Sequence, residues 1–171
     1  MAHYLVTGCA GFIGSKVAQL LLSQGHRVTG LDNFGQEYDQ RLKQWRLDQC
    51  SRAERFSYQR ADVCNIGSLS PAFETDLDAV LSFAARAGVR QSIEDPLAYA
   101  ETNYIGTVNL LDLCKEHGVD KFVLASTSSV YGDDTPPPFN EEAQANRPLS
   151  PYASTKKAAE TLTYTYHHLY G

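Results

Sequence analysis

Short apolar runs alternate along the chain with longer stretches of helical period. "HYLVTG" (3–8) reads as a buried strand. In "GFIGSKVAQLLLSQG" (11–25), Val17, Leu20, Leu21 and Gln24 recur at helical spacing and Gly25 supplies a stop. "HRVTGLD" (26–32) is a second strand, followed by a polar helix around 38–50. "RFSYQRAD" (55–62) is a third strand, with a helix around 65–74 after it. "DAVLSFAA" (78–85) is a fourth strand, followed by a long helix over about 96–117. "DKFVLAST" (120–127) is a fifth. A proline-rich, acidic loop (132–148) precedes Ser150-Pro151, a cap residue and a first helical residue that open a last helix. Strands alternating with helices predict an α/β fold, a parallel sheet covered on both faces. Right-handed crossovers make it doubly wound. The loop is too long for a plain connection and reads as functional or mobile.

Composition narrows the picture. A chain of 171 residues is enough for one domain with a real core. Its 15 Lys and Arg against 20 Asp and Glu argue against a nucleic-acid partner. Arg41, Lys43 and Arg46 lie among polar residues and read as a solvated helix face. Cys9, Cys50, Cys64 and Cys114 are scattered without metal-ligand spacing, so no metal is expected and the thiols suit a reducing compartment. A strand starting at residue 3 leaves no room for a signal peptide, and no apolar run approaches the ~20 residues that cross a membrane. A cytoplasmic protein with no membrane contact is the expectation.

"TGCAGFIG" lies at the first strand-to-helix junction and spaces Gly8, Gly11 and Gly14 as GxxGxxG. The spacing departs from GxGxxG, but the physics is shared. Gly8 permits a sharp turn, Gly11 a close approach of pyrophosphate to the helix N-terminus, and Gly14 close packing of helix on sheet. Asp32 closes the second strand, where its carboxylate can accept hydrogen bonds from an adenosine ribose and repel a 2′-phosphate. That combination predicts NAD rather than NADP. A turn aspartate in "LDNFG" is the plainer alternative.

The fifth strand ends in "ASTSSVYG", placing Ser126, Thr127, Ser128 and Ser129 where ligands bind in an open parallel sheet. Tyr152 and Lys156 follow at i and i+4, on one face of the last helix. A free phenol, with a pKa of ~10, is a poor base at neutral pH. An ammonium one turn away favours the phenolate and makes it a better one. Such a pair suits taking a proton from a sugar hydroxyl during oxidation to a ketone. An amphipathic helix with a surface Tyr and Lys is the other reading.

The glycine loop, Asp32, the strand-end hydroxyls and YxxxK together resemble the extended short-chain dehydrogenase/reductase superfamily, with its Rossmann fold, over essentially the whole chain. Within it, "VTGCAGFIG", "AARAGVRQS", "ASTSSVYG" and "SPYASTKKAAE" resemble nucleotide-sugar 4-epimerases, above all those acting on UDP-glucuronate. The resemblance implies Thr127, Tyr152 and Lys156 as catalytic residues. It implies a cofactor site of Gly8, Gly11, Phe12, Ile13, Gly14, Asp32, Asn33, Asp62, Val63, Phe83, Ala84, Ala85, Asn103, Ser126, Tyr152 and Lys156. Thr127 and Ser128 would meet the sugar. Arg90 resembles a residue near the sugar and reads equally as a surface arginine. Members that dehydrate the sugar carry an acid before "VYG"; Ser128-Ser129 offer none. The implied cycle is therefore short. Tyr152 takes the C4 hydroxyl proton as the C4 hydride passes to NAD. The 4-keto sugar then turns over before re-reduction on the opposite face. Ser82 stands where the family pattern has histidine, and Arg86 where a neutral residue is common.

Members run to about twice this length. The resemblance thus implies an incomplete NAD-binding domain over 1–171, whose fifth strand is an open edge and whose nucleotide-gripping half lies elsewhere. It also implies a homodimer through helices 96–117 and 150–170. The alternatives are an NAD-binding module without turnover, and another member of the superfamily such as a UDP-glucose 4-epimerase or a nucleotide-sugar dehydratase or reductase.

Overall fold

The structure, a computed structural model, describes residues 1–36, 39–133 and 135–171. Five strands form one parallel sheet in the order β3-β2-β1-β4-β5. They are β1 (His3–Thr7), β2 (Arg27–Asp32), β3 (Phe56–Arg60), β4 (Ala79–Ser82) and β5 (Phe122–Leu124). This is the doubly wound Rossmann arrangement expected from the alternating pattern. The chain reverses its winding between β1 and β4, so the crevice at the carboxyl ends of those strands is where a ligand belongs.

Alternation along β1 sends Leu5 to one face and Val6 to the other. Leu5 joins Leu69, Phe73, Val80, Leu110 and Leu113, under α3 (Ile66–Phe73) and α6 (Gly106–His117). Val6 joins Cys9, Ala18, Val28, Leu47 and Cys50, under α1 (Phe12–Ser23) and α2 (Gln40–Cys50). The α1 stripe differs from the expected one. Gly14, Ser15 and Ala18 are buried, whereas Leu20 is 57% exposed. Small side chains bring this helix close to the sheet, and its larger leucines pack at the margin. The expected start of the second helix near 38 and position 134 of the proline-rich loop lie outside the described residues.

The long helix foreseen over 96–117 is present and continuous, with one wide turn inside it. α4 (Val89–Glu94), not anticipated, and α5 (Pro96–Ala100) precede one wide turn of π-helix at Glu101–Ile105, and α6 follows. The wide turn holds Asn103, which is 1% exposed. Its Oδ1 accepts from the Arg86 amide, while Nδ2 donates to the Arg86 carbonyl and to Thr155 Oγ1. One side chain thus ties the loop after β4 to α7 (Pro151–Tyr170). At the start of α7 the expected cap is present: Ser150 Oγ accepts from the Ala153 amide, and Pro151 takes the first position. Among the described residues β5 pairs only with β4, and Val123 on it is 51% exposed.

His3 closes the opposite end of the sheet. Nδ1 lies 2.8 Å from the Asp76 carbonyl oxygen and Nε2 2.8 Å from Thr29 Oγ1. Burial pushes its pKa below the ordinary 6.5, against the opposing pull of the Asp76 carbonyl. The folded state therefore holds His3 neutral where the unfolded chain begins to protonate it. Stability is complete above about 6.5 and declines as pH falls toward the lowered folded value. In urea unfolding between pH 7.5 and 5, His3→Gln is expected to lose part of the acid-side decline that the parent chain shows. An unchanged slope would remove His3 from the pH dependence.

Candidate active site

The phosphate-loop end is built by backbone constraints. Gly8 has φ +67°, and a Cβ there would stand 2.9 Å from the Ala84 nitrogen and the Phe83 carbonyl carbon. Thr7 Oγ1 accepts the amides of both Phe83 and Ala84, stitching the loop to the end of β4. A Cβ on Gly14 would lie 2.3 Å from the Gly8 carbonyl oxygen. Gly14 therefore admits the returning loop against the first turn of α1, a more specific reason than the helix-to-sheet packing expected. Gly11 donates to Gly8 O and occupies the cap position of α1, which has no side-chain cap. Phe12 and Ile13, the first helical residues, are 71% and 56% exposed. The result is an uncapped helix N-terminus flanked by bare apolar side chains in the crevice.

At the end of β2, Asp32 is buried, 6% exposed. Its Oδ2 accepts from the Ala10 amide, and its Oδ1 from the Phe34 amide and from Lys43 Nζ at 3.3 Å. Asn33 Nδ2 donates to Asp62 Oδ2 at 3.0 Å, joining the ends of β2 and β3. Burial works to raise the Asp62 carboxyl, but hydrogen bonds from Asn33 and from the Cys64 amide hold it below the usual carboxylate range. Val63 is buried beside Gly106, and its carbonyl accepts from Asn109 Nδ2. Phe83, Ala84 and Ala85 lie beyond β4, which ends at Ser82. Asn103 spends its amide on Arg86 and Thr155, so it acts here as a tie between segments.

The chemical end lies between β5 and α7. Thr127 caps a short 3-10 turn at Ser128–Tyr131, with Oγ1 accepting from the Ser129 amide and donating to Ser129 Oγ. α7 packs on that turn and on α4 and α5. Ser128 is exposed. Ser126 is exposed and donates its hydroxyl to Glu160 Oε1 on α7, while Lys157 Nζ reaches Glu160 Oε2 at 3.0 Å. Tyr152 is half-buried with its ring edge-on to Tyr99, and its hydroxyl has no hydrogen-bond partner among the described residues. Lys156 is 3% exposed. Burial pushes it down to about 8, with Glu160 opposing. Arg90 is exposed on α4.

The basic residues of α2 divide, which corrects the reading of Arg41, Lys43 and Arg46 as one solvated face. Arg41 is exposed and pairs with Asp39, whereas Lys43 is 5% exposed against Asp32. The sequence carried the signal: Leu47 and Cys50, both buried, follow Lys43 at i+4 and i+7. Arg46 lies with its guanidinium 5.6 Å from the Phe12 ring. Among the described residues no group of three or more His, Cys, Asp or Glu side chains is placed to hold a metal, and no helix is long and apolar enough to cross a membrane.

Known proteins agree with this geometry. A UDP-glucuronate 4-epimerase of Thermodesulfobacterium geofontis is 52% identical over 100% of this chain and 53% of its own length. A mutant UDP-glucuronic acid 4-epimerase from Bacillus cereus, in complex with UDP-4-deoxy-4-fluoro-glucuronic acid and NAD, superposes with a TM-score of 0.90. It is 38% identical, over 98% of this chain and 53% of that one. The UDP-Glc/GlcNAc 4-epimerase of Campylobacter jejuni gives 0.89 at 27% identity, over 98% of this chain and 50% of that one. The chain thus spans about half the length of the relatives it matches. The sequence pattern of the GDP-mannose 4,6 dehydratase family runs through residues 5–171, from the first strand to the end of α7, and the chain belongs to that family.

Proposed function

We propose that this chain is the cofactor-binding half of an NAD-dependent nucleotide-sugar 4-epimerase, acting on UDP-glucuronate. One observation carries the reading. A buried lysine (Lys156) stands one helical turn from a half-buried phenol (Tyr152), in a chain whose β1–α1 turn is a glycine cradle suited to a pyrophosphate. The residues fit NAD. Gly8 and Gly14 leave backbone bare where a Cβ would collide, the first amides of α1 are uncapped, and Asp32 ends β2. NAD, when bound, supplies the hydride acceptor for oxidation at C4 and the donor for its reversal.

The chain's own residues do the rest. Gly11, Phe12 and Ile13 receive the pyrophosphate, and Asp32 with Asn33 takes the adenosine ribose. Asp62 and Val63 flank the adenine, and Phe83, Ala84, Ala85 and Asn103 border the crevice. Lys156 donates to the ribose next to the nicotinamide and holds a positive charge near Tyr152. Tyr152 removes the C4 hydroxyl proton and later returns it, with Thr127 orienting that oxygen. Ser126 holds α7 through Glu160, Ser128 lies toward the sugar, and Arg90 reaches it from α4. No carboxylate stands at Ser128 or Ser129, which favours epimerisation over dehydration. Exposed Ile105, Tyr164 and Leu169 on the 96–117 segment and α7 support a homodimer through those helices.

The test is a thermal-unfolding titration of the chain with NAD and with NADP. A ligand confined to the folded state stabilises it by about 2.7 kcal/mol at a hundredfold excess over Kd. NAD is expected to raise the midpoint, and NADP to raise it less. No rise with NAD would remove the cofactor assignment. Incubation of the intact protein with UDP-glucuronate and UDP-glucose, followed by sugar analysis, then tests the substrate. UDP-glucuronate left unchanged would sink that part.

A further inference from the structure

Glu160 is the only acid of α7. It follows Tyr152 and Lys156 at i+8 and i+4, on the same face of the helix. Different elements engage its two oxygens. Oε1 accepts the hydroxyl of Ser126, 34 residues away in sequence, and Oε2 takes Lys157 Nζ at 3.0 Å. The Lys157 and Glu160 side chains are 34% and 31% exposed, and an ion pair that open contributes little to stability by itself. It does hold the carboxylate in one rotamer, with its other oxygen on the strand-end segment. Ser126 lies where the chain leaves the sheet. β5 ends at Leu124, and the Ala125 amide still donates to the Ser82 carbonyl on β4. Ser126 is past that bond, and Thr127 opens the 3-10 turn. Among the described residues β5 has a strand on one side only, so the further hold on this segment comes from α7, through Glu160.

We propose that Glu160 is a positioning residue for the sugar oxidation: by binding Ser126 it fixes the segment that carries Thr127 against the helix that carries Tyr152 and Lys156. The inference rests on the 4-epimerase reading and deepens it. Thr127 and Tyr152 address one C4 hydroxyl from two different elements, a strand end and a helix. A misplacement of about 1 Å between such groups can cost on the order of a hundredfold in rate. A hydrogen bond from a hydroxyl to a carboxylate is short and strong, so it limits that displacement. Thr127 is bonded to Ser126 in the chain, and its Oγ1 accepts from the Ser129 amide, so the turn moves as Ser126 moves. Glu160 acts through Ser126 and needs no contact with sugar or cofactor. Its charge is the competing explanation, because it also opposes the burial that lowers Lys156.

The experiment compares kcat, KM for UDP-glucuronate and Kd for NAD among variants of the intact protein. Glu160→Ala and Ser126→Ala are each expected to lower kcat about tenfold or more, with KM and the NAD Kd within about twofold of the parent. The double variant is expected to be no slower than the slower single one, because both remove the same bond. Glu160→Gln keeps an oxygen for Ser126 and gives up the charge, so its kcat is expected within about threefold of the parent. An unchanged kcat in Glu160→Ala would overturn the proposal. So would losses that multiply in the double variant, which would make the two residues independent. Glu160→Gln as slow as Glu160→Ala would assign the effect to charge near Lys156 and overturn it as well. A weaker NAD affinity in Ser126→Ala that Glu160→Ala does not share would put Ser126 on the cofactor instead, with the same consequence. Should Glu160→Ala not fold, Ser126→Ala and Ser126→Thr still decide: threonine keeps the hydroxyl and is expected to restore the rate, and a threonine variant as slow as the alanine one would overturn the proposal. A parent that leaves UDP-glucuronate unchanged fails the epimerase reading before any variant is compared, and the proposal falls with it.

Discussion

Tyr152→Phe is expected to lower epimerisation by the intact protein about 10²- to 10⁴-fold, the range that a positioned acid–base group contributes. The substitution removes one oxygen and little else. The hydroxyl makes no hydrogen bond among the described residues, so its loss leaves no partner unsatisfied. The ring contact with Tyr99, 6.2 Å between centroids, is retained by phenylalanine. NAD affinity and thermal midpoint should therefore stay near those of the parent while turnover collapses. That separation makes the result diagnostic. Activity within tenfold of the parent would assign the proton to another group. A matching loss of NAD binding would mean that the phenol serves the fold or the cofactor instead. Steady-state rates with UDP-glucuronate, beside a binding titration on the same preparation, distinguish the three.

The fold was legible because its strands are short apolar runs bounded by turn residues and its crossovers are helical, a pattern that admits few topologies. Local chemistry located the loop at Gly8, the cap at Ser150 and the Tyr152/Lys156 face. Long-range packing was less visible. The wide turn inside the 96–117 helix carries Asn103 to Arg86 and Thr155, partners distant in sequence. Nothing in the helical period announces a wide turn there. Lys43 was misread because a polar neighbourhood outweighed its i+4 and i+7 partners Leu47 and Cys50. A lysine is seldom buried without a partner, and the partner, Asp32, lies on another element. Ser126 shows the same blind spot in a milder form. Its place at the strand end was foreseen, but not that its hydroxyl would be spent on Glu160, a residue of the same helix as Lys156.

Lys156→Met is expected to move stability and function in opposite directions. In the folded chain the Lys156 side chain is buried, and its pKa falls from the ordinary 10.5 to about 8. Burial is the cause, and Glu160 offsets it only in part. A shift of that size corresponds to roughly 3 kcal/mol of differential interaction, at about 1.4 kcal/mol per pH unit. Below pH 8 both folded and unfolded states carry the proton, and the folded state bears the whole desolvation cost. Between about 8 and 10.5 the unfolded state binds more protons, so stability rises with pH across that window. Methionine fills a similar volume without the charge. At pH 7 the variant should therefore unfold at higher denaturant, by an amount approaching ~3 kcal/mol, and should lack the parent's gain in stability above pH 8. Its affinity for NAD should fall, because the donor to the ribose is gone, and turnover should fall further with the loss of the charge that favours the phenolate. Urea unfolding at pH 7 and 9.5, with and without NAD, reads all of these. A destabilised Lys156→Met at pH 7 would show that the ammonium has a partner in the folded chain. A more stable variant that also kept the parent's NAD affinity would show that the buried charge is not there for the cofactor.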